Sequence, residues 1–232
     1  MRTIKFASLL LIALSLSCAG LLQELEQNLP TSGGSSAADG LREALAVGTG
    51  RAVTRRAQPG GYLGDKLVEL AIPSKLETAA DALKLIGRRD LVDEFKISLN
   101  RAAEAAAPVA KEVFMGSIRQ MTFQDAMSIL DGGETAATDF FRRTAGPELA
   151  RRFAPIVDEK LADVGATQDF NEIMRKIEAL PLVERPVFNL TEYVTDEALD
   201  GLFSTLAEEE RRIRQDPLAR TTDLLRRWFG ER

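Results

Sequence analysis

The chain of 232 residues has a formal charge of −5, a single cysteine and no histidine. These absences exclude imidazole acid–base catalysis, Ser–His–Asp and Cys–His nucleophiles, zinc sites of the usual nitrogen and sulfur kind, and internal disulfides. The acidic balance disfavours general binding to nucleic acid, which depends on neutralising phosphates. We therefore predict no metal, no cofactor and no nucleic-acid partner.

Residues 1–19 have the order of a secretory signal: two basic residues, an apolar stretch over residues 6–16, and then small residues. The apolar stretch is too short to cross a hydrocarbon core, which needs about 20 apolar residues. Two cleavage sites fit, one for lipoprotein processing at Cys18 and one for ordinary cleavage after Ala19. A lone cysteine in an exported chain favours lipidation. We predict export to the periplasm, with attachment to the outer membrane through an acylated Cys18.

Residues 20–40 contain a run of Thr, Ser, Gly and Ala, which predicts a flexible N-terminal segment and linker. From residue 41 onward, apolar residues recur at helical spacing, and they are mainly Ala and Leu rather than aromatic residues. We predict that residues 41–232 form one mostly all-α domain, a bundle of about eight helices. At most one short β element is expected, at residues 187–190.

Local signals predict several helix ends in this domain. Gly87 and Gly165 follow helical patterns as C-terminal caps. Pro108 interrupts a long helical pattern, which predicts a kink or two abutting helices. Thr122 is a predicted N-cap, with Asp125 three residues later in the position of a capping box.

The first candidate binding group lies within one turn of a predicted helix. Asn100, Arg101 and Glu104 are its members, and the spacing puts Asn100 and Glu104 on one face. Either they line a polar pocket, or they form a hydrogen-bonded bridge to a neighbouring element, which is the commoner role of buried polar groups.

The second candidate group surrounds the glycine pair at residues 132–133. Its carboxylate, hydroxyl and guanidinium groups fit an anionic or sugar ligand, or a hard cation held by carboxylate oxygens. The alternative is helix capping together with surface ion pairs. The members are Asp125, Asp131, Thr135, Thr138, Asp139 and Arg142.

The C-terminal stretch from residue 211 is basic and amphipathic, although the whole chain is acidic. It is a candidate surface for an anionic membrane or a partner. The alternative is a docking helix whose arginines pair with acidic residues four positions earlier, as Glu208 with Arg212 and Glu210 with Arg214. The candidate surface residues are Arg220, Arg226, Arg227 and Trp228.

Three segments together resemble domain-of-unknown-function family 4197, a bacterial family. They are Asn-Arg-Ala-Ala-Glu at 100–104, the run from Met-Thr at 121–122 to Ala-Ala-Thr at 136–138, and the run from Tyr-Val-Thr at 193–195 to Asp-Pro-Leu-Ala-Arg-Thr-Thr at 216–222. The resemblance implies an exported envelope protein and carries no activity with it.

The leading functional hypothesis is an exported, lipid-tethered, non-catalytic envelope protein that binds a protein partner, a lipid or another apolar ligand. One alternative is a hydrolase of cell-wall glycan, because glycoside cleavage needs only two carboxyl groups and no histidine. The other alternative is a membrane-surface module that uses the basic C-terminal helix.

Overall fold

The computed structural model describes residues 37–178 and 188–215. The predicted export signal, Cys18 and most of the predicted linker lie outside these residues, as do Arg220, Arg226, Arg227 and Trp228. The described part contains nine α-helices, one 3-10 turn and no strand, so the predicted all-α fold is confirmed. The helices are α1 (Ala37–Ala57), α2 (Ser74–Leu85), α3 (Arg89–Ala106), α4 (Ala110–Gln120), α5 (Phe123–Leu130), α6 (Ala136–Thr144), α7 (Gly146–Asp163), α8 (Ala166–Glu178) and α9 (Leu190–Gln215).

The predicted helix ends agree with the structure. Thr122 and Asp125 form a complete capping box at the start of α5. Gly87 and Gly165 have φ angles of 83° and 84°, the left-handed conformation that glycine adopts most readily after a helix. Pro108 lies in the 3-10 turn Ala107–Val109, which separates α3 from α4.

The expected β element is wrong at residues 188–190. Phe188 and Asn189 are irregular, and Leu190 already belongs to α9. The Asn189 side-chain oxygen accepts a hydrogen bond from the Glu192 N–H at 3.1 Å, and the Asn189 backbone C=O accepts one from the Tyr193 N–H at 3.1 Å. Asparagine therefore starts a helix here, an effect stronger than the β propensity of the apolar residues beside it.

The core lies between the long helices. Helix α9 packs against α1 and α7, and α3 packs against α7 and α8. Phe114 of α4 is fully buried, with its ring centroid 5.2 Å from that of Phe141 and 6.1 Å from that of Phe203, both in edge-to-face geometry. These three rings join α4, α6 and α9, so residues distant in sequence share one hydrophobic centre.

Candidate functional site

Two buried side chains of α3 hold the α1–α2 connection, residues 58–73. The Asn100 amide accepts a hydrogen bond from the Leu70 N–H at 2.9 Å and donates one to the Leu70 C=O at 2.9 Å. Glu104 Oε1 accepts from the N–H groups of Tyr62 at 3.1 Å and Leu63 at 3.3 Å. The connection has no regular structure there, so these side chains satisfy backbone groups that would otherwise be buried unpaired. Both residues act as hydrogen-bonded bridges.

We expect Asn100→Ala to lower the free energy of unfolding by about 2 kcal/mol, because it leaves the N–H and C=O of Leu70 without their partner. Arg101→Ala is the matched control, since Arg101 is the exposed next residue on the same helix. It should change stability by less than about 0.5 kcal/mol. Urea unfolding of both variants measures the difference, and equal losses would contradict the bridging role of Asn100.

A buried arginine and tyrosine complete the attachment of the connection. Arg56 is 1% exposed, donates from Nη1 to the Gly61 C=O, and donates from Nη2 to Asp65 Oδ2 at 2.8 Å. Its guanidinium carbon lies 5.5 Å from the centroid of the Tyr62 ring. The Tyr62 hydroxyl donates to the Ala198 C=O at 2.6 Å, and burial raises the pKa of Tyr62 above its ordinary value. The phenol therefore stays protonated and joins the connection to α9.

Asp65 gives this attachment a pH dependence. The hydrogen bond from Arg56 holds the pKa of Asp65 below its usual value, and Arg55 adds a second bond at 2.9 Å. A carboxyl group whose pKa is lowered by folding stabilises the protein above its unfolded pKa of about 3.9, and this contribution is lost as the pH falls through the folded pKa.

We accordingly expect Asp65→Asn to cost about 1 kcal/mol of stability at pH 7 and less as the pH falls below about 4. The loss shrinks because the wild-type carboxylate is itself protonated in acid. Urea unfolding of the wild type and of the variant, at pH 7 and again below about pH 4, measures this loss of stability. A loss that is the same at both pH values would show that the Asp65 charge does not contribute.

The polar depression beside this connection has a volume of about 370 Å³ and is open to solvent. Its cations already have carboxylate partners in the structure. Arg55 pairs with Glu208 at 2.7 Å as well as with Asp65, and Lys66 pairs with Glu69 at 2.9 Å. The depression is therefore close to electrically balanced, and its lining stabilises the connection.

A second buried carboxylate lies at the N-terminus of α6. The sequence predicts Glu210 only as a partner of Arg214 on the same helix and gives no sign of this contact with α6. Glu210 of α9 accepts hydrogen bonds from the N–H groups of Ala137 at 2.9 Å and Thr138 at 2.8 Å, and from the Thr138 hydroxyl at 2.9 Å. Arg214 donates to the same carboxylate from Nε at 3.1 Å, which confirms the predicted pair of Glu210 with Arg214 four residues later. An α9 carboxylate thus caps α6.

The other members of the second candidate group, around the glycine pair at residues 132–133, do not converge on one binding site. Asp125 completes the capping box of α5, and Asp131 is exposed just after that helix. Thr135 and Asp139 form one exposed contact of 3.4 Å between their side chains. Arg142 bonds to Asp200 at 2.7 Å, and its guanidinium lies 4.6 Å from the centroid of the Phe203 ring. Of the six residues, Thr138 is the one that is buried.

An apolar groove lies between the first half of α1 and the last part of α9. Leu41 and Leu45 line it from α1, and Leu206 and Ile213 line it from α9. Its free volume is about 20 Å³, room for about one water, whereas sites for small molecules usually measure about 300–1,000 Å³. The groove is therefore too small to enclose a small-molecule ligand.

The carboxyl groups with raised pKa values lie mainly along α9. Burial raises the pKa of Asp196 and of Glu197. Repulsion from Glu192 and Asp200 adds to the rise at Asp196, and repulsion from Asp200 and Asp196 adds to the rise at Glu197. All four side chains are exposed on a single helix. A glycosidase needs its two carboxyl groups on opposite sides of a bound sugar, and this arrangement does not provide that geometry.

Residues 37–178 and 188–215 contain no group of three or more metal-ligating His, Cys, Asp or Glu side chains. In the same part of the chain, no helix is both long enough and apolar enough to span a membrane.

The comparison with known families agrees with the resemblance read from the sequence. The chain belongs to DUF4197, a family described as a protein of unknown function, whose sequence model matches residues 31–230. No curated protein matches the chain, and no solved structure does.

Proposed function

We propose that this member of the DUF4197 family is an exported, lipid-tethered, non-catalytic protein of the cell envelope. Its folded domain binds a protein partner or an apolar ligand such as a lipid. The order of charged, apolar and small residues in 1–19 supports export, and Cys18 followed by the linker supports a tether.

The main support for a non-catalytic role is that the buried polar side chains form hydrogen bonds with the protein's own backbone. Asn100 and Glu104 bind backbone groups of the α1–α2 connection, and Glu210 binds the first amides of α6. These hydrogen bonds give the buried polar groups a structural role that needs no substrate. These groups stabilise a rigid helical scaffold, which suits recognition through its surface.

Between the two kinds of ligand, the small groove volume favours a protein partner. A lipid tail needs an enclosed apolar channel, whereas a partner can pack against a shallow apolar depression. The groove between α1 and α9 is such a depression, and apolar residues of both helices line it.

Mass spectrometry of the protein purified from its own envelope tests the proposal. An acylated N-terminus at Cys18 supports the tether, and a chain that begins at Gly20 overturns it. Crosslinking in intact cells should then recover a protein partner, whereas a mass that is retained under native conditions and lost on denaturation would identify a small ligand instead. Release of soluble fragments from purified cell wall would overturn the non-catalytic role.

A further inference from the structure

We propose that the α2–α3 corner, residues 84–89, inserts into the surface of a lipid bilayer and orients the tethered domain on the membrane. The corner carries Leu85 and Ile86, whose exposed fractions are 88% and 57%. They are the one adjacent pair among the large apolar residues exposed in the described part of the chain. This inference rests on the tether in the proposed function, because two side chains alone bind a membrane weakly.

The pair is exposed because Leu85 lies on the outer face of α2 and Ile86 follows directly after the end of the helix. Leu76, Ala79, Ala80 and Leu83 form the buried face of α2, and Leu85 lies two positions beyond Leu83, on the opposite side of the helix. A partly exposed Leu would need no explanation, but a leucine and an isoleucine together at one helix end form an apolar tip.

The backbone holds this tip in a fixed position. The Gly87 N–H donates to the Lys84 C=O at 3.2 Å, and the Arg88 N–H donates to the Leu83 C=O at 2.9 Å. Gly87 adopts a φ of 83°, and the fully buried Leu83 anchors the turn in the core. Little conformational entropy is therefore lost when the tip enters an interface.

The charges around the tip are what distinguish a lipid surface from an apolar protein partner. Residues 84–89 contain Lys84, Arg88 and Arg89 and no acidic residue, in a chain whose formal charge is −5. Arg89 is exposed, and the side chains of Lys84 and Arg88 are about one-third exposed. Long basic side chains beside an apolar tip reach anionic headgroups while the tip enters the acyl boundary.

Acidic residues border the corner and limit its charge. Lys84 bonds to Asp81 at 3.0 Å, and Arg88 lies 3.5 Å from Asp90 and 3.3 Å from Glu172. These contacts are at the surface, where ion pairs are weak and exchange readily for headgroup contacts. The tether supplies the remaining affinity by keeping the corner at high local concentration near the bilayer.

A single labelled cysteine tests the insertion in the protein with its natural N-terminus. The mature chain has no free thiol, because Cys18 is either acylated or removed with the signal. Ile86→Cys therefore takes one environment-sensitive dye, and Phe123→Cys is the matched control, since Phe123 is 61% exposed at the start of another helix beside Asp125. Both proteins are bound to vesicles of phosphatidylethanolamine and phosphatidylglycerol.

We expect a nitroxide lipid to quench the dye at residue 86 at least about 3-fold more than the dye at residue 123. Leu85→Ser and Arg89→Gln, each added to the labelled chain, should reduce this quenching. If neither does, the dye itself drives insertion and the proposal fails. Equal access of aqueous iodide to both positions would also overturn it.

The N-terminal mass of the same sample separates the two proposals. An acylated chain whose residue 86 stays in water overturns the insertion of the corner and leaves the tether intact. A chain that begins at Gly20 and whose dye still meets the lipid overturns the tether alone. A chain that begins at Gly20 with residue 86 in water overturns both.

Discussion

Gly201→Ala should lower the free energy of unfolding by about 3 kcal/mol, although alanine is the better helix former. A Cβ atom at residue 201 of α9 would lie 2.7 Å from Tyr62 Cε1 and 3.2 Å from Val68 Cβ. The Tyr62 ring cannot move away freely, because its hydroxyl is bonded to the Ala198 C=O at 2.6 Å. Overpacking costs about 1–3 kcal/mol, and a strained or lost tyrosine hydrogen bond adds about 1–3 kcal/mol, which exceeds the gain in helix propensity of about 1 kcal/mol.

Gly116→Ala is the control for this change. Gly116 lies in α4, and a Cβ atom there would meet nothing within 4 Å. The same substitution should therefore stabilise the protein by about 0.5–1 kcal/mol, through helix propensity alone. Thermal and urea unfolding measure both variants. Changes of the same sign would show that the contact between Tyr62 and α9 does not restrict residue 201.

The features predicted correctly from sequence depend on residues a few positions apart. Thr122 and Asp125 specify their capping box within three residues, and Gly87 ends α2 through its own backbone freedom. Amphipathic spacing and the scarcity of aromatic residues were enough to predict an all-α fold. These local signals required no knowledge of which helices are neighbours.

The candidate site depends on contacts that no local spacing specifies. Glu104 binds Tyr62 across 42 residues, and Glu210 binds Thr138 across 72 residues. The predicted pair of Glu208 with Arg212 is wrong, because Glu208 bonds to Arg55, which lies 153 residues away in sequence. Helical spacing shows which side chains share a face, but the fold decides which tertiary partner competes for a charge.

Glu210→Ala should cost about 4 kcal/mol of stability, the largest loss expected from any single polar residue discussed above. The side chain of Glu210 is 6% exposed and accepts hydrogen bonds from two backbone amides, the Thr138 hydroxyl and Arg214. Its removal leaves the first amides of α6 buried without an acceptor and takes the carboxylate away from Arg214. Breaking one side of such a buried pair typically costs about 3–5 kcal/mol.

Two further variants of the glutamates on α9 separate charge from burial. Glu210→Gln keeps an acceptor oxygen near the amides and loses the charge, so we expect about half the loss caused by Glu210→Ala. Glu208→Ala removes an ion pair whose two side chains are 35% and 45% exposed, and it should cost less than about 1 kcal/mol. Urea unfolding ranks the three variants. Both residues lie on the same helix and differ mainly in what they contact. If Glu208→Ala were as destabilising as Glu210→Ala, the loss caused by Glu210→Ala could not be attributed to its capping of α6.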